Sequence, residues 1–269
     1  MTLIVGVKCK DGIVVGADGA AAYAALGTNT ILQPTKKLTI IDSRIIVGES
    51  GAVGLGQRIV GIIEELSKDQ TTFSSQSQSS PKKPFQAMTT VREKLHPHLI
   101  QELQACAQAA PAVGQQIAIS SAIALTVLAV PVQGNPCLFL FDQQGATKAA
   151  SDDLPFITIG SGQAIADPFL AFLRRIFWPS GTVPNLGDGI FATLWTLVHA
   201  IETHPGGVAK PIQIAVLKGN KAKFLEEAEY AEHYQNIEAA EGALKNYRTS
   251  LVSSDTTTTP PPVPPPAGH

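Results

Sequence analysis

The chain has 269 residues, 44% of them hydrophobic, which suits one large domain or two small ones with ample material for a core. With 20 basic and 22 acidic residues the net charge is −2, so nothing asks for nucleic acid or an acidic membrane as a partner. Cys9, Cys106 and Cys137 fall at unrelated spacings; they fit a reducing compartment, not a disulfide framework or a zinc site.

The N-terminus does not read as a signal peptide, because its apolar residues precede its lysines. The most apolar stretch, Ile117 to Val132, is interrupted by Ser120-Ser121 and Pro131 and falls short of the ~20 apolar residues of a membrane helix. A soluble, cytoplasmic protein is expected.

Leu3 to Val7 and Ile13 to Val15 are β-branched runs joined by Lys10-Asp11-Gly12, which has the chemistry of a tight turn. The hairpin returns Asp18, just past the second strand, to the neighbourhood of Thr2. Met1 precedes a small residue and is therefore open to removal. Trimming leaves Thr2 with a hydroxyl nucleophile and an α-amine of pKa ~7.7–8.0, its own base, on one carbon frame. The plainer reading of Met1-Thr2 alone is an ordinary translation start.

Gly19 to Thr30, rich in alanine, reads as a loop or irregular strand. Lys36-Lys37 opens a strand in which Lys37, Thr39 and Ile41 share a face. Gly48-Glu49-Ser50-Gly51 leads into a helix through Lys68, with Leu55, Ile59, Ile62 and Ile63 on one side. Ser50-Gly51 reads equally as a helix cap and as the place where backbone N–H groups are left to bind an oxyanion. The polar run over 70–84 is a flexible insert. Phe85 to Ala110 is a second helix that Pro97 is placed to kink or divide. His96 and His98, two apart, do not share a helix face and make a poor metal pair. No metal and no cofactor is called for.

Ile117 to Val130 and Cys137 to Asp142 are apolar enough for strands buried on both faces. Phe156 to Ile159 is a further strand ending in Gly160-Ser161-Gly162, by itself an ordinary strand-to-helix turn. Helices follow over Ala164 to Phe177 and Asp188 to His204, the second opened by an Asp188 cap. Ile212 to Leu217 and Lys221 to Leu225 form a hairpin through Lys218-Gly219-Asn220, and Glu226 to Leu251 is a charged helix, solvated or outside an assembly. The pattern gives one α+β domain over residues 2–251, two stacked mixed sheets between helical layers, an αββα sandwich. Residues 252–269, rich in Thr and Pro, read as a disordered tail.

Thr2, Asp18, the strand Lys37-Leu38-Thr39-Ile40-Ile41 and Ser50-Gly51 stand in the order and near the spacing of the proteasome β-type family. These are N-terminal-nucleophile hydrolases, and the family includes bacterial homologues of the HslV and Anbu types that begin Met-Thr. The chain resembles them closely over about residues 2–67 and loosely over 156–217, where Gly160-Ser161-Gly162 is similar to the family's Gly-Ser-Gly. The resemblance implies the four-layer αββα fold and a threonine endopeptidase. It assigns Thr2 as nucleophile, Lys37 and Asp18 as an electrostatic pair, Gly51 as oxyanion donor, and Ser161 with Glu202 at the amine. It further implies peptide or unfolded polypeptide substrates, a homo-oligomeric ring with inward-facing sites, and, as in some members, an ATPase unfoldase or adaptor. There are two departures from the pattern: Gly19-Ala20 replaces Ser/Thr-Arg, and Pro205 replaces a serine in Glu202-Thr203-His204-Pro205-Gly206-Gly207. They motivate the alternative of a catalytically inactive ring subunit or scaffold. An N-terminal-nucleophile amidase for a small molecule fits less well, because it lacks the expected Cys or Ser at position 2.

Overall fold

The computed structural model describes residues 2–25, 28–68, 73, 84–115, 118, 122–179, 182–204 and 207–254. The expected insert over 70–84, Pro205 and most of the expected tail lie outside these residues, apart from Phe73 and Pro84.

Strands β1 (Ile4–Cys9) and β2 (Gly12–Ala17) form the expected antiparallel hairpin, with Ile4 opposite Ala17 and Cys9 opposite Gly12. Their side chains alternate between two cores. Val5, Val7, Cys9 and Val14 pack toward helices, whereas Ile4, Ile13, Val15 and Ala17 pack toward a second sheet. Burial on both faces explains why this run is apolar without a polar alternate.

Next come β3 (Ala20–Ala25), β4 (Thr28–Pro34), β5 (Leu38–Ile41) and β6 (Ile45–Gly51). The alanine-rich segment is therefore a two-stranded hairpin, β3 on β4, whose register shifts between Tyr23 and Ala24, in keeping with the irregular strand expected there. Helices α1 (Val53–Lys68) and α2 (Pro84–Val113) follow, and α2 continues through Pro97 without dividing. Strands β7 (Ala124–Val132), β8 (Asn135–Phe141), β9 (Thr147–Ala149) and β10 (Phe156–Ile159) come next. The start of β7 is set by its partner, since Ala124 sits opposite Gly51 at the end of β6; the strand thus begins later than Ile117. Helix α3 (Gln163–Phe177) leads to α4 (Leu186–Thr203), strands β11 (Gln213–Lys218) and β12 (Lys221–Phe224), and helix α5 (Glu227–Ser254).

One five-stranded sheet has the order β10-β1-β2-β11-β12 and the other β5-β6-β7-β8-β9. Every pairing is antiparallel, a correction to the expected mixed sheets. Leu170, Leu173, Leu194 and Leu197 of α3 and α4 cover the outer face of the first sheet. Leu55, Ile59, Met88 and Leu95 of α1 and α2 cover that of the second. Between the sheets lie Ile4, Ile13, Leu38, Val127 and Leu138. This is the αββα sandwich.

The cap of α4 is Asn185, not Asp188. Asn185 Oδ1 accepts from the Asp188 N–H at 3.0 Å and Asp188 Oδ2 accepts from the Asn185 N–H at 3.0 Å, a capping box. Helix α5 is not solvated all round. Its first half buries Tyr230 and Ile237, and Trp195 Nε1–H of α4 donates to Glu241 at 3.1 Å.

Candidate active site

Asp18 follows directly on β2 and extends its pairing by one residue. Its N–H donates to the Leu3 carbonyl at 3.1 Å, and the Leu3 N–H donates to Asp18 Oδ1 at 2.8 Å. The residue is fully buried. Its other donors are Lys37 Nζ to Oδ1 at 2.6 Å and the N–H groups of Ala20 and Ala209 to Oδ2 at 3.2 and 3.3 Å. Four donors from four chain segments thus offset the cost of burying a carboxylate.

Lys37 stands just before β5, and its side chain is buried against Asp18, only 6% exposed. Burial lowers its pKa, while the charge of Asp18 and the hydrogen bond to it act in the opposite direction. Its neighbour Lys36 is exposed. Gln213, a residue the sequence reading did not single out, clamps the backbone here: its Oε1 accepts from the Lys37 N–H at 3.1 Å and its Nε2 donates to the Thr35 carbonyl at 2.7 Å. Gln213 lies opposite Ala17 in the first sheet, so it ties the lysine segment to the strand that carries Asp18.

Thr2 is held from the β10–α3 turn. Its nitrogen donates to Ser161 Oγ at 3.2 Å, and its carbonyl accepts from the Gly162 N–H at 3.2 Å. The turn comes this close because residue 160 is glycine. Its φ is +101°, and a Cβ there would lie 2.1 Å from the Thr2 carbonyl oxygen.

Gly51 ends β6 rather than starting α1. The Ala52 N–H donates to the carbonyl of Ile123, the residue that precedes β7, and the Glu49 N–H donates to the Lys37 carbonyl on the opposite side. Antiparallel alternation therefore turns the N–H of Gly51, like that of Glu49, away from β7 and toward the segment carrying Lys37. Glu202 is placed differently from the rest: it is exposed on the last turn of α4, and no hydrogen bond among the described residues joins it to Thr2. Gly19 owes its identity to packing, since a Cβ there would lie 2.2 Å from the Pro211 carbonyl oxygen.

A cleft of about 430 Å³ opens at this point, lined by Thr2, Lys37, Ser50 and Gly51 together with Glu49 and the Gly56, Gln57 and Val60 face of α1. Glu49 is the second residue that sequence reading passed over. Burial pushes its carboxyl up to about 7.

Residues 2–101 match the family described as Proteasome subunit. Anbu (ancestral beta-subunit) from Yersinia bercovieri superposes with a TM-score of 0.64 at 13% identity, covering 96% of this chain and 99% of that one. Anbu from Hyphomicrobium sp. strain MC1 gives 0.58 at 17% identity over 96% and 99%, and a mutant of it gives 0.61 at 16% over 96% and 100%. The fold is that of the proteasome subunits. No curated protein matches the sequence. Among the described residues no helix is long and apolar enough to cross a membrane.

Proposed function

We propose that the protein is a proteasome-like threonine peptidase whose nucleophile is Thr2, exposed by removal of Met1. The observation that carries the reading is the convergence of Thr2, the buried Asp18–Lys37 pair and Ser161 at one mouth of the cleft.

Thr2 Oγ attacks the carbonyl carbon of a peptide bond. Its proton passes to the Thr2 amine, directly or through a water. The carbonyl oxygen becomes an oxyanion and takes a hydrogen bond from the Gly51 N–H. Collapse of the adduct breaks the C–N bond, and the departing amine takes the proton back from the Thr2 ammonium. The ester left on Oγ is then cleaved by water, whose proton passes by way of the same amine to the departing Oγ, restoring the hydroxyl and the free amine. Lys37, cationic beside Asp18, favours the deprotonated forms of its neighbours. Ser161 orients the amine. Glu202, exposed on α4, has no part in this sequence of steps.

The proposal extends to peptides or unfolded chains as substrates, a homo-oligomeric ring enclosing the sites, and cytoplasmic work with an ATPase unfoldase or adaptor. The alternative of an inactive ring subunit loses part of its motive, because Gly19 is explained by contact with Pro211.

Intact mass before and after treatment with an epoxyketone is the deciding measurement. Loss of Met1 and one adduct mapping to Thr2, absent from the Thr2→Ala variant, are expected. Retained Met1 with no adduct would transfer the protein to the inactive-subunit reading.

A further inference from the structure

Strand β6 presents Ile45, Val47 and Glu49 to the same side of its sheet. The first two belong to the core under α1 and α2. Glu49 thus occupies the third position of an apolar face, where a hydrophobic side chain would pack. Its Oε1 is buried and has no hydrogen-bond partner among the described residues. Helix α1 leaves room for the carboxylate by carrying Gly56 opposite it, where a Cβ would lie 2.9 Å from Oε2.

Among the described residues, the surrounding charges do not compensate it. Lys37, across the mouth of the cleft, is committed to Asp18 at 2.6 Å. Lys36 is exposed at the rim. Arg58 of α1 is paired with Glu102 at 2.5 Å and does not line the cleft. From β7 comes only Ala124, and the remaining α1 contributors are the neutral Val53, Gln57 and Val60. A carboxylate with an unfilled acceptor, in a cleft that opens to solvent past the apolar carbons of Val53, Val60 and Ala124, matches a cation carried on a hydrocarbon stem. Lysine and arginine side chains have that form, their methylenes covering apolar surface while the charged end seeks the acid.

Thr2 lines the same cleft. In an acyl transfer to Thr2 Oγ, the side chain nearest the attacked carbonyl belongs to the residue that supplies that carbonyl. We infer that Glu49 makes this cleft a subsite for a cationic side chain, so that the enzyme cleaves after lysine or arginine. The inference rests on the Thr2 peptidase reading for the word "cleaves", but recognition of the cation does not depend on it.

The test uses the full chain and peptides identical except for the residue before the scissile bond: arginine, lysine, norleucine, glutamine or glutamate. At pH 8, above the value of about 7 to which burial pushes Glu49, arginine should exceed norleucine in kcat/KM by on the order of 10–100-fold. Glu49→Gln should bring that ratio toward one, and Glu49→Lys should turn the preference to glutamate. A parent enzyme that prefers norleucine, or a ratio unmoved by Glu49→Gln, overturns the inference. Calorimetric titration with agmatine, a guanidinium on a short alkyl chain, reads the subsite without turnover. Agmatine should bind the parent and Thr2→Ala alike and at least about tenfold more weakly to Glu49→Gln. No binding to the parent, or equal binding to Glu49→Gln, overturns the inference. Peptide cleavage that persists in Thr2→Ala overturns the Thr2 mechanism instead, leaving agmatine to judge the subsite.

Discussion

Asp18 has no water to turn to, so its four donors stand or fall together. Replacing it by asparagine keeps the shape, but it leaves the Lys37 cation buried without its counter-charge and sets an NH2 group among N–H donors. Breaking a buried pair from one side costs roughly 3–5 kcal/mol, whereas removing both charges costs much less. In urea denaturation Asp18→Asn should lose about that much stability, and Asp18→Asn with Lys37→Met should recover part of it. A double variant no more stable than the single would show that the lysine is not what suffers. Glu49 behaves in the opposite way. A glutamate in the unfolded chain titrates near ~4.3, whereas burial pushes Glu49 up to about 7. Between those values the native state holds the extra proton, so stability falls as pH rises through this window and levels off above it. The span is at most about 4 kcal/mol. Glu49→Gln, which cannot ionise, should therefore match the parent in Tm near pH 4 and exceed it at pH 8. A Tm difference that does not change with pH would mean that the carboxylate has a counter-charge in the unliganded protein.

The turn between β10 and α3 is the element on which the nucleophile depends. Gly160→Ala forces a Cβ to within 2.1 Å of the Thr2 carbonyl oxygen and strains a φ of +101°. The expected result is a stability loss of about 1–3 kcal/mol together with at least a tenfold slower reaction of Thr2 with an epoxyketone. Labelling at the parental rate would show that the turn does not position Thr2. Elements differed in how plainly their residues announced them. The β1–β2 hairpin and β5 were legible because β-branched runs bracket turn residues, and Asp18, Lys37 and Ser161 were legible through their order along the chain. The β3–β4 hairpin was hidden because a run of alanines has no polar–apolar contrast to count. Asn185 and Asp188 are both capping residues three apart, and only the observed start of α4 tells cap from third residue. Gln213 acts through contacts 176 and 178 positions away, which leave no local trace. Glu49 did leave one: it shares the alternation of Ile45 and Val47, so an acid was visible at a core position.

At the scale of the whole molecule, the cleft opens to solvent, and among the described residues nothing within one chain covers it. Restriction has to come from neighbours, and the surface offers material for contacts. Phe172, Ile176 and Phe177 are 38%, 54% and 43% exposed along α3, on the layer opposite α1, and Arg175 lies over the Phe172 ring. Clustered apolar residues of this size are uncommon on a monomer's surface unless another surface covers them. If the enclosed ring is right, the purified protein should sediment as a particle of several chains at micromolar concentration, and Phe172→Glu with Ile176→Glu should shift it to smaller species. Both residues already touch water, so the change should leave the Tm of the single chain nearly unaltered, which separates lost assembly from lost folding. A parent that sediments as one chain removes the ring from the proposal and predicts an enzyme that also cuts exposed loops of folded proteins. A double variant that stays assembled excludes α3 and moves the contact to the second half of α5, where Leu244 and Tyr247 are 57% and 64% exposed.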